Sequence, residues 1–276
     1  MKKVSYTAQW TAAARALESE RSDPLFDDHL ARPLAAPYGF ELLEKYGGGG
    51  LQEFVALRTQ YFDEAIAQAT FQGQIRQIII VAAGMDARAY RLSWPENSIV
   101  YEVDYAELHA EKQQRLLQLQ AMSKVDRRIV VADLNSEWLS KLSGAGFDNT
   151  QPTLWVVEAL LFFLSDDQVK KLFKGFTSVS CAGSKLIVDV LSKDLLNYVG
   201  TQPFLHSLRA AGIPWTFGTN DPANYFGALG WDLTDLKEPG EAGAGAERWP
   251  YPVFPRDWPN IPRNWLIQAN IKKIKA

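Results

Sequence analysis

The chain has 276 residues, of which 29 are basic and 32 acidic, for a formal net charge of -3. With 47% hydrophobic residues it has the makeup of a globular protein with a substantial core, and its near-balanced charge excludes a general pull toward nucleic acid or an anionic membrane. A single cysteine, Cys181, excludes an intramolecular disulfide and fits a reducing compartment.

No apolar stretch follows Met1-Lys2-Lys3, and no apolar run is long enough to span a bilayer. A cytoplasmic protein is therefore expected. From Thr7 to Tyr46 the composition predicts short helices, with a break at Asp23-Pro24 and a cap at Asp27-Asp28. Four glycines, Gly47 to Gly50, exclude regular structure and read as a flexible joint rather than a phosphate cradle, because no strand leads into them. Apolar residues then recur at helical spacing from Leu51 to Phe71.

Alternation of strands and helices begins next. Gln77–Val81, Ser98–Asp104, Arg128–Ala132, Thr153–Val157 and Lys185–Val190 read as five strands, separated by helices near 87–92, 106–122, 137–142 and 166–179. Such alternation predicts a parallel sheet covered by helices on both faces. After Leu191 a mainly helical stretch runs to Leu229, followed by candidate strands at Trp231–Leu236 and Trp265–Ile271. Between them, 238–262 is rich in Pro, Gly and Trp, and 240–246 reads as a mobile loop.

Ligands of open parallel sheets bind at the carboxyl ends of the strands. Gly84 lies just after the first strand, in a turn that lacks the G-x-G-x-x-G dinucleotide fingerprint, which argues against a nicotinamide cofactor. Asp104 ends the second strand, twenty residues after Gly84, where a carboxylate can accept from the two hydroxyls of an adenosine ribose. Asp133-Leu134 ends the third strand and suits an adenine, with the acid accepting from the exocyclic amine and the leucine packing on the ring. Glu158 ends the fourth strand in an apolar run, so it needs a partner: a ligand ammonium, Arg88 or Arg91. Each of these acids has an alternative role as a helix cap or structural ion pair.

The run Val81-Ala82-Ala83-Gly84-Met85-Asp86-Ala87-Arg88-Ala89-Tyr90-Arg91-Leu92 resembles the L-G-A-G-x-D-T-R-x-x-R-L signature of the leucine carboxyl methyltransferase family. Tyr101–Asp104, Ala132-Asp133-Leu134 and Pro152–Leu164 resemble further motifs of that family. Arg248–Pro252, Arg256 and Pro262–Leu266 resemble its bacterial branch of polyketide-type, tetracenomycin-like O-methyltransferases. The resemblance runs from Thr11 to Lys272. It implies an α/β, Rossmann-like class I methyltransferase with a seven-stranded, mostly parallel sheet whose last strand is antiparallel. It also implies a helical cap over 1–75, a core over 76–276 and a lid at about 192–229. The implied cofactor is S-adenosyl-L-methionine, touched by Arg58, Ala82, Gly84, Asp104, Asp133, Leu134 and Glu158, with Arg15 as a second basic residue near its carboxylate. Two departures stand out: Ala82 replaces the first glycine of the signature, and Ala159 replaces the glycine after the fourth-strand acid.

The expected reaction is methyl transfer to an oxygen of a small organic acid or an aromatic, polyketide-like acceptor. A carboxylate is favoured over a phenol because it is already ionised and needs no general base. Of the three histidines only His206 falls in the expected lid, which makes it the candidate base. Tyr198, Tyr225, Arg248 and Tyr251 are candidate acceptor contacts, Arg256 being an alternative to Arg248. No metal site is expected, since no Cys/His cluster exists. The expected partner is a small molecule, not nucleic acid or membrane, and a homodimer is left open. The competing readings are a cofactor-binding protein that has lost activity and an NAD-dependent oxidoreductase.

Overall fold

The computed structural model describes residues 5–272, with side chains from Thr7, so Met1-Lys2-Lys3 lie outside the described residues. Three helices come first: α1 (Ser5–Ser19), α2 (Ala31–Tyr46) and α3 (Leu51–Ala67). Asp28 does not cap α2. That helix begins after Leu30, and the Asp28 carboxylate instead accepts from Arg15 Nε at 2.9 Å. Burial decides this, because Asp28 is fully enclosed and a buried carboxylate takes the cation in reach. Inside α2, Ala36 leaves the helical region just before Pro37, whose ring disfavours a helical ψ in the preceding residue, and its φ of 52° is strained.

The remaining elements are β1 (Gln77–Val81), α4 (Arg88–Arg91), β2 (Ile99–Asp104), α5 (Ala106–Gln118), β3 (Asp126–Val131), α6 (Trp138–Gly144), β4 (Thr153–Val157), α7 (Asp166–Ser178), β5 (Lys185–Leu191), α8 (Lys193–Asn197), α9 (Gln202–Ala210), α10 (Pro222–Ala228), β6 (Trp231–Lys237) and β7 (Asn264–Ile271). They form one sheet in the order β3-β2-β1-β4-β5-β7-β6. Strands β1 to β5 pair in parallel, and β7 runs antiparallel to both β5 and β6. This is the expected Rossmann-like, seven-stranded architecture.

Successive residues of a strand face opposite sides, and the two cores follow that rule. Ile78, Ile80, Val100, Leu154 and Val156 join one cluster, together with Trp10, Phe54 and Phe62 from the N-terminal helices. Ile79, Val81, Tyr101, Trp155 and Val157 join the other, beneath α6 and α7. The N-terminal helices therefore cover one sheet face down to its core. In chain order the strand order reverses between β1 and β4, so β1 and β4 lie side by side at the switch point where such sheets bind ligands.

Candidate functional site

Two cavities open side by side above the carboxyl ends of β1, β2 and β4. The first, of about 260 Å3, is lined by the β1 turn (Ala82, Ala83, Gly84), the end of β2 (Asp104), Leu134 after β3 and Glu158 after β4. Helix α1 roofs it with Thr7, Thr11 and Arg15. The turn is tight. Gly84 has φ 50°, and a Cβ there would come within 2.9 Å of the Ala8 methyl on the roof. Only glycine takes that conformation without strain while admitting α1 so closely.

Asp104 holds this turn in place. Its Oδ2 accepts from the Gly84 N–H at 2.7 Å and its Oδ1 from the Tyr105 N–H at 2.7 Å. Burial pushes its pKa upward, against the two backbone N–H bonds. Each oxygen has a further lone pair. Asp133 is turned differently: its Oδ1 accepts from the Asn135 backbone at 3.0 Å and from its amide at 3.1 Å. Leu134 and Asn135 line the cavity, whereas Asp133 is not among the lining residues.

Glu158 finds its cations within the protein. Arg58 Nε donates to it at 3.0 Å and Arg88 Nη1 at 2.7 Å, whereas Arg91 pairs with Asp63 and Asp28 instead. Burial alone would raise the Glu158 pKa, but Arg88 and Arg58 outweigh it and hold the carboxyl below its ordinary range. Asp86 is mostly enclosed, which by itself would raise its pKa, but Arg88, Lys112 and Arg15 bring it down to about 2. Arg15 donates from Nη2 to the Met85 carbonyl at 2.7 Å, tying α1 to the β1 turn.

Asp189 was not singled out from the sequence. Its Oδ2 accepts from Arg58 Nη1 at 3.1 Å and its Oδ1 from the Ala159 N–H at 2.7 Å. A carboxylate inside the apolar strand Leu186–Leu191 is itself a signal, because a buried acid needs a partner. The pairing could not be read, since Arg58 lies 131 residues away.

The second cavity, of about 440 Å3, lies next to the first, and the two share Thr7, Thr11, Arg58, Ala159 and Phe163. Its walls are aromatic: Trp10 and Tyr46 from the N-terminal helices, Phe54 from α3, Phe162 after β4, and Phe204 and Trp215 from the segment after β5. Trp215 packs on Phe162 and Phe204 with ring centroids 4.5 and 5.1 Å apart. No Asp, Glu or His is among the lining residues.

The five residues expected at the acceptor are not among those lining either cavity. His206 is exposed on α9, with Nδ1 3.0 Å from the Gln202 carbonyl, as the helix repeat dictates. Tyr198 is exposed, and the Tyr225 hydroxyl donates to Asp166 at 2.8 Å. Arg248 grips Glu18 at 2.8 and 3.0 Å, fastening the Pro/Trp-rich segment to α1. Tyr251 packs edge-on against Trp249, which itself lines the second cavity. Arg256 pairs with Glu241 at 2.7 Å. Arg248 and Arg256 thus met acids of the protein first, and proximity in sequence to the expected lid did not bring them to the cavity.

Residues 8–177 match the family described as leucine carboxyl methyltransferase. A Mycobacterium avium (strain 104) protein, assigned as an S-adenosyl-L-methionine-dependent methyltransferase, is 33% identical over 267 residues, covering 84% of this chain and 85% of its own. A similarly assigned protein of Mycolicibacterium smegmatis is 34% identical over 251 residues, covering 84% of each chain. Among solved structures, a DUF574 family protein from Streptomyces avermitilis superposes with a TM-score of 0.64 at 15% identity, covering 96% of this chain and 97% of its own. A protein from Thermobifida fusca assigned as a methyltransferase gives 0.62 at 17% identity, covering 94% of each. At those identities the structural likeness establishes the fold.

Proposed function

The chain belongs to the leucine carboxyl methyltransferase family, an S-adenosyl-L-methionine-dependent class of enzyme, and on that premise we propose that it methylates a carboxyl oxygen of a small, largely apolar organic acid. The nicotinamide reading falls with family membership. The observation that supports a carboxylate is the absence of Asp, Glu and His from the lining of the acceptor-side cavity. A phenol needs a base to take its proton, whereas a carboxylate arrives ionised.

The first cavity fits the cofactor. Gly84 makes the tight turn that forms one wall, Asp104 retains free lone pairs beside it, and Leu134 offers an apolar wall for a purine. Arg58 and Arg15 line it as the cations for a ligand carboxylate, and Glu158 as the acid for an ammonium. When bound, S-adenosyl-L-methionine supplies a methyl group on a positively charged sulfur, and its transfer to a carboxylate yields a methyl ester and the thioether.

The protein's own work is then positioning and drying. Arg58, Ala159 and Phe163 stand where the two cavities meet, so they fix how the acceptor approaches the cofactor side. Aromatic walls exclude water, and a less hydrated carboxylate is a better nucleophile. The roof residues Thr7 and Thr11 close the junction from above.

The test is incubation with S-adenosyl-L-methionine carrying a labelled methyl group and matched aryl acids and phenols. The expected product is a methyl ester, which releases labelled methanol on mild base treatment. Label retained as a base-stable ether on phenols alone would overturn the carboxylate reading.

A further inference from the structure

The acceptor-side cavity runs along one face of α3, where Leu51, Phe54, Val55 and Arg58 line it at positions i, i+3, i+4 and i+7. Seven residues of helix rise by about 10 Å. At the far end Arg58 is only 2% exposed and touches both cavities, so this end is the reacting end. At the near end the lining passes to Gly48, Gly49 and Lys45, all exposed. A side chain at Gly48 or Gly49 would meet nothing within 4 Å, which makes this end an open mouth.

The charges along this path are uneven. Among the described residues of the lining, Lys45 and Arg58 are the only charged ones. Arg58 is held by Glu158 and Asp189 at 3.0 and 3.1 Å at the reacting end, where it also lines the cofactor-side cavity, so it is not placed to meet a group at the mouth. Lys45 has no carboxylate partner among the described residues; its ammonium lies 5.1 Å from the Tyr46 ring centroid, on the cavity wall. Glu41 and Glu44 share α2 with it, but neither pairs with it nor lines the cavity. An acceptor carboxylate at the reacting end stands too far away for Lys45 to bind it.

Resting on the carboxyl-methylation reading, we propose that the acceptor is an elongated, flat, apolar acid with a second anionic group at its far end, and that Lys45 is the residue that recognises that group. The inner acid is methylated while the outer one stays in the mouth on the ammonium. Aromatic walls between them take the flat body. Lys45 thereby selects the acceptor and sets which end enters first.

The experiment uses the full chain saturated with S-adenosylhomocysteine and two probes, biphenyl-4-carboxylate and biphenyl-4,4'-dicarboxylate, titrated by calorimetry. The diacid should bind about tenfold more tightly than the monoacid, the scale of one added charge-assisted hydrogen bond. Lys45→Met should erase that difference and leave monoacid binding unchanged, and Lys45→Arg should keep it. Equal affinities in the native chain, or an advantage that survives Lys45→Met, overturn the proposal. If the monoacid is bound, and is methylated once S-adenosyl-L-methionine replaces S-adenosylhomocysteine, while the diacid gains nothing, only the outer anchor is lost. If neither acid binds while S-adenosylhomocysteine still does, the carboxylate reading and the anchor fall together.

Discussion

Ala82 and Ala159 carry positive φ angles of 56° and 55°, in the region where a Cβ crowds the backbone. Both line the cavity above the ends of β1, β2 and β4, and both stand where the resembled family pattern has glycine. The backbone has kept the glycine conformation although the side chain changed, because the turn is held from outside. Asp104 fixes the next residues through the Gly84 N–H, and Asp189 fixes Ala159 through its own N–H. Left-handed strain costs roughly 1–2 kcal/mol, and the greater freedom of unfolded glycine offsets roughly half of it. Ala82→Gly should therefore stabilise the fold by about 0.5–1 kcal/mol, read from urea unfolding. A destabilised variant would show that the methyl packs usefully and the strain is negligible. The departure from glycine was visible in the sequence; that φ stays positive was not, because the restraint comes from β2 and β5.

At the scale of elements, α5 is the most altered by folding. Its residues read as a long polar helix, yet Lys112 is fully buried and His109 is 5% exposed. The cause is Glu102 on β2, which lies two residues before Asp104 on the same face of the sheet. Glu102 accepts from Lys112 at 2.6 Å and from Arg127 of β3 at 2.7 Å. Burial lowers the His109 pKa to about 4 from 6.5, and Lys112 and Arg127 add to the effect against the pull of Glu102. The sign follows directly. Between these two values the unfolded chain binds a proton that the folded chain refuses, so folding stability is full above pH 6.5 and falls as pH drops toward 4. His109→Gln should flatten that part of the stability curve in denaturant titrations at successive pH values. An unchanged slope would place the proton uptake elsewhere. Helical periodicity located α5, but which of its polar residues turn inward depended on an acid from a neighbouring strand.

For the whole molecule, the N-terminal helices and the sheet are joined by a buried ion network as well as by a shared apolar core. Arg15 of α1 and Arg58 of α3 meet Asp28, Glu158 and Asp189, while Arg88 and Arg91 of α4 meet Asp63 of α3. Removing one partner of a buried pair leaves the other charged and dry, at a cost of about 3–5 kcal/mol. Arg58→Met should lose stability on that scale and weaken S-adenosylhomocysteine binding. Adding Asp189→Leu should restore much of the stability and none of the binding, which calorimetry on the double variant separates. Recovery of both would place Arg58 in the fold and remove it from the ligand site. No described helix is long and apolar enough to cross a membrane.

Hydrophobic periodicity determined the five parallel strands and the helices between them, because pattern and spacing are local properties. The ends of those strands meet at one cavity, where Gly84, Asp104 and Glu158 line it with Leu134 while Asp133 is not in its lining. The larger, aromatic-walled cavity was decided by tertiary structure alone. Its walls come from α1, α2, α3, the loop after β4 and the segment after β5, and their meeting depends on how α1 to α3 lie across the sheet. The same holds for charge. A lone Arg248 or His206 looks available in a sequence, but long-range packing supplied Arg248 with Glu18, carried His206 to the surface and left Lys45 beside the Tyr46 ring with no acid partner among the described residues.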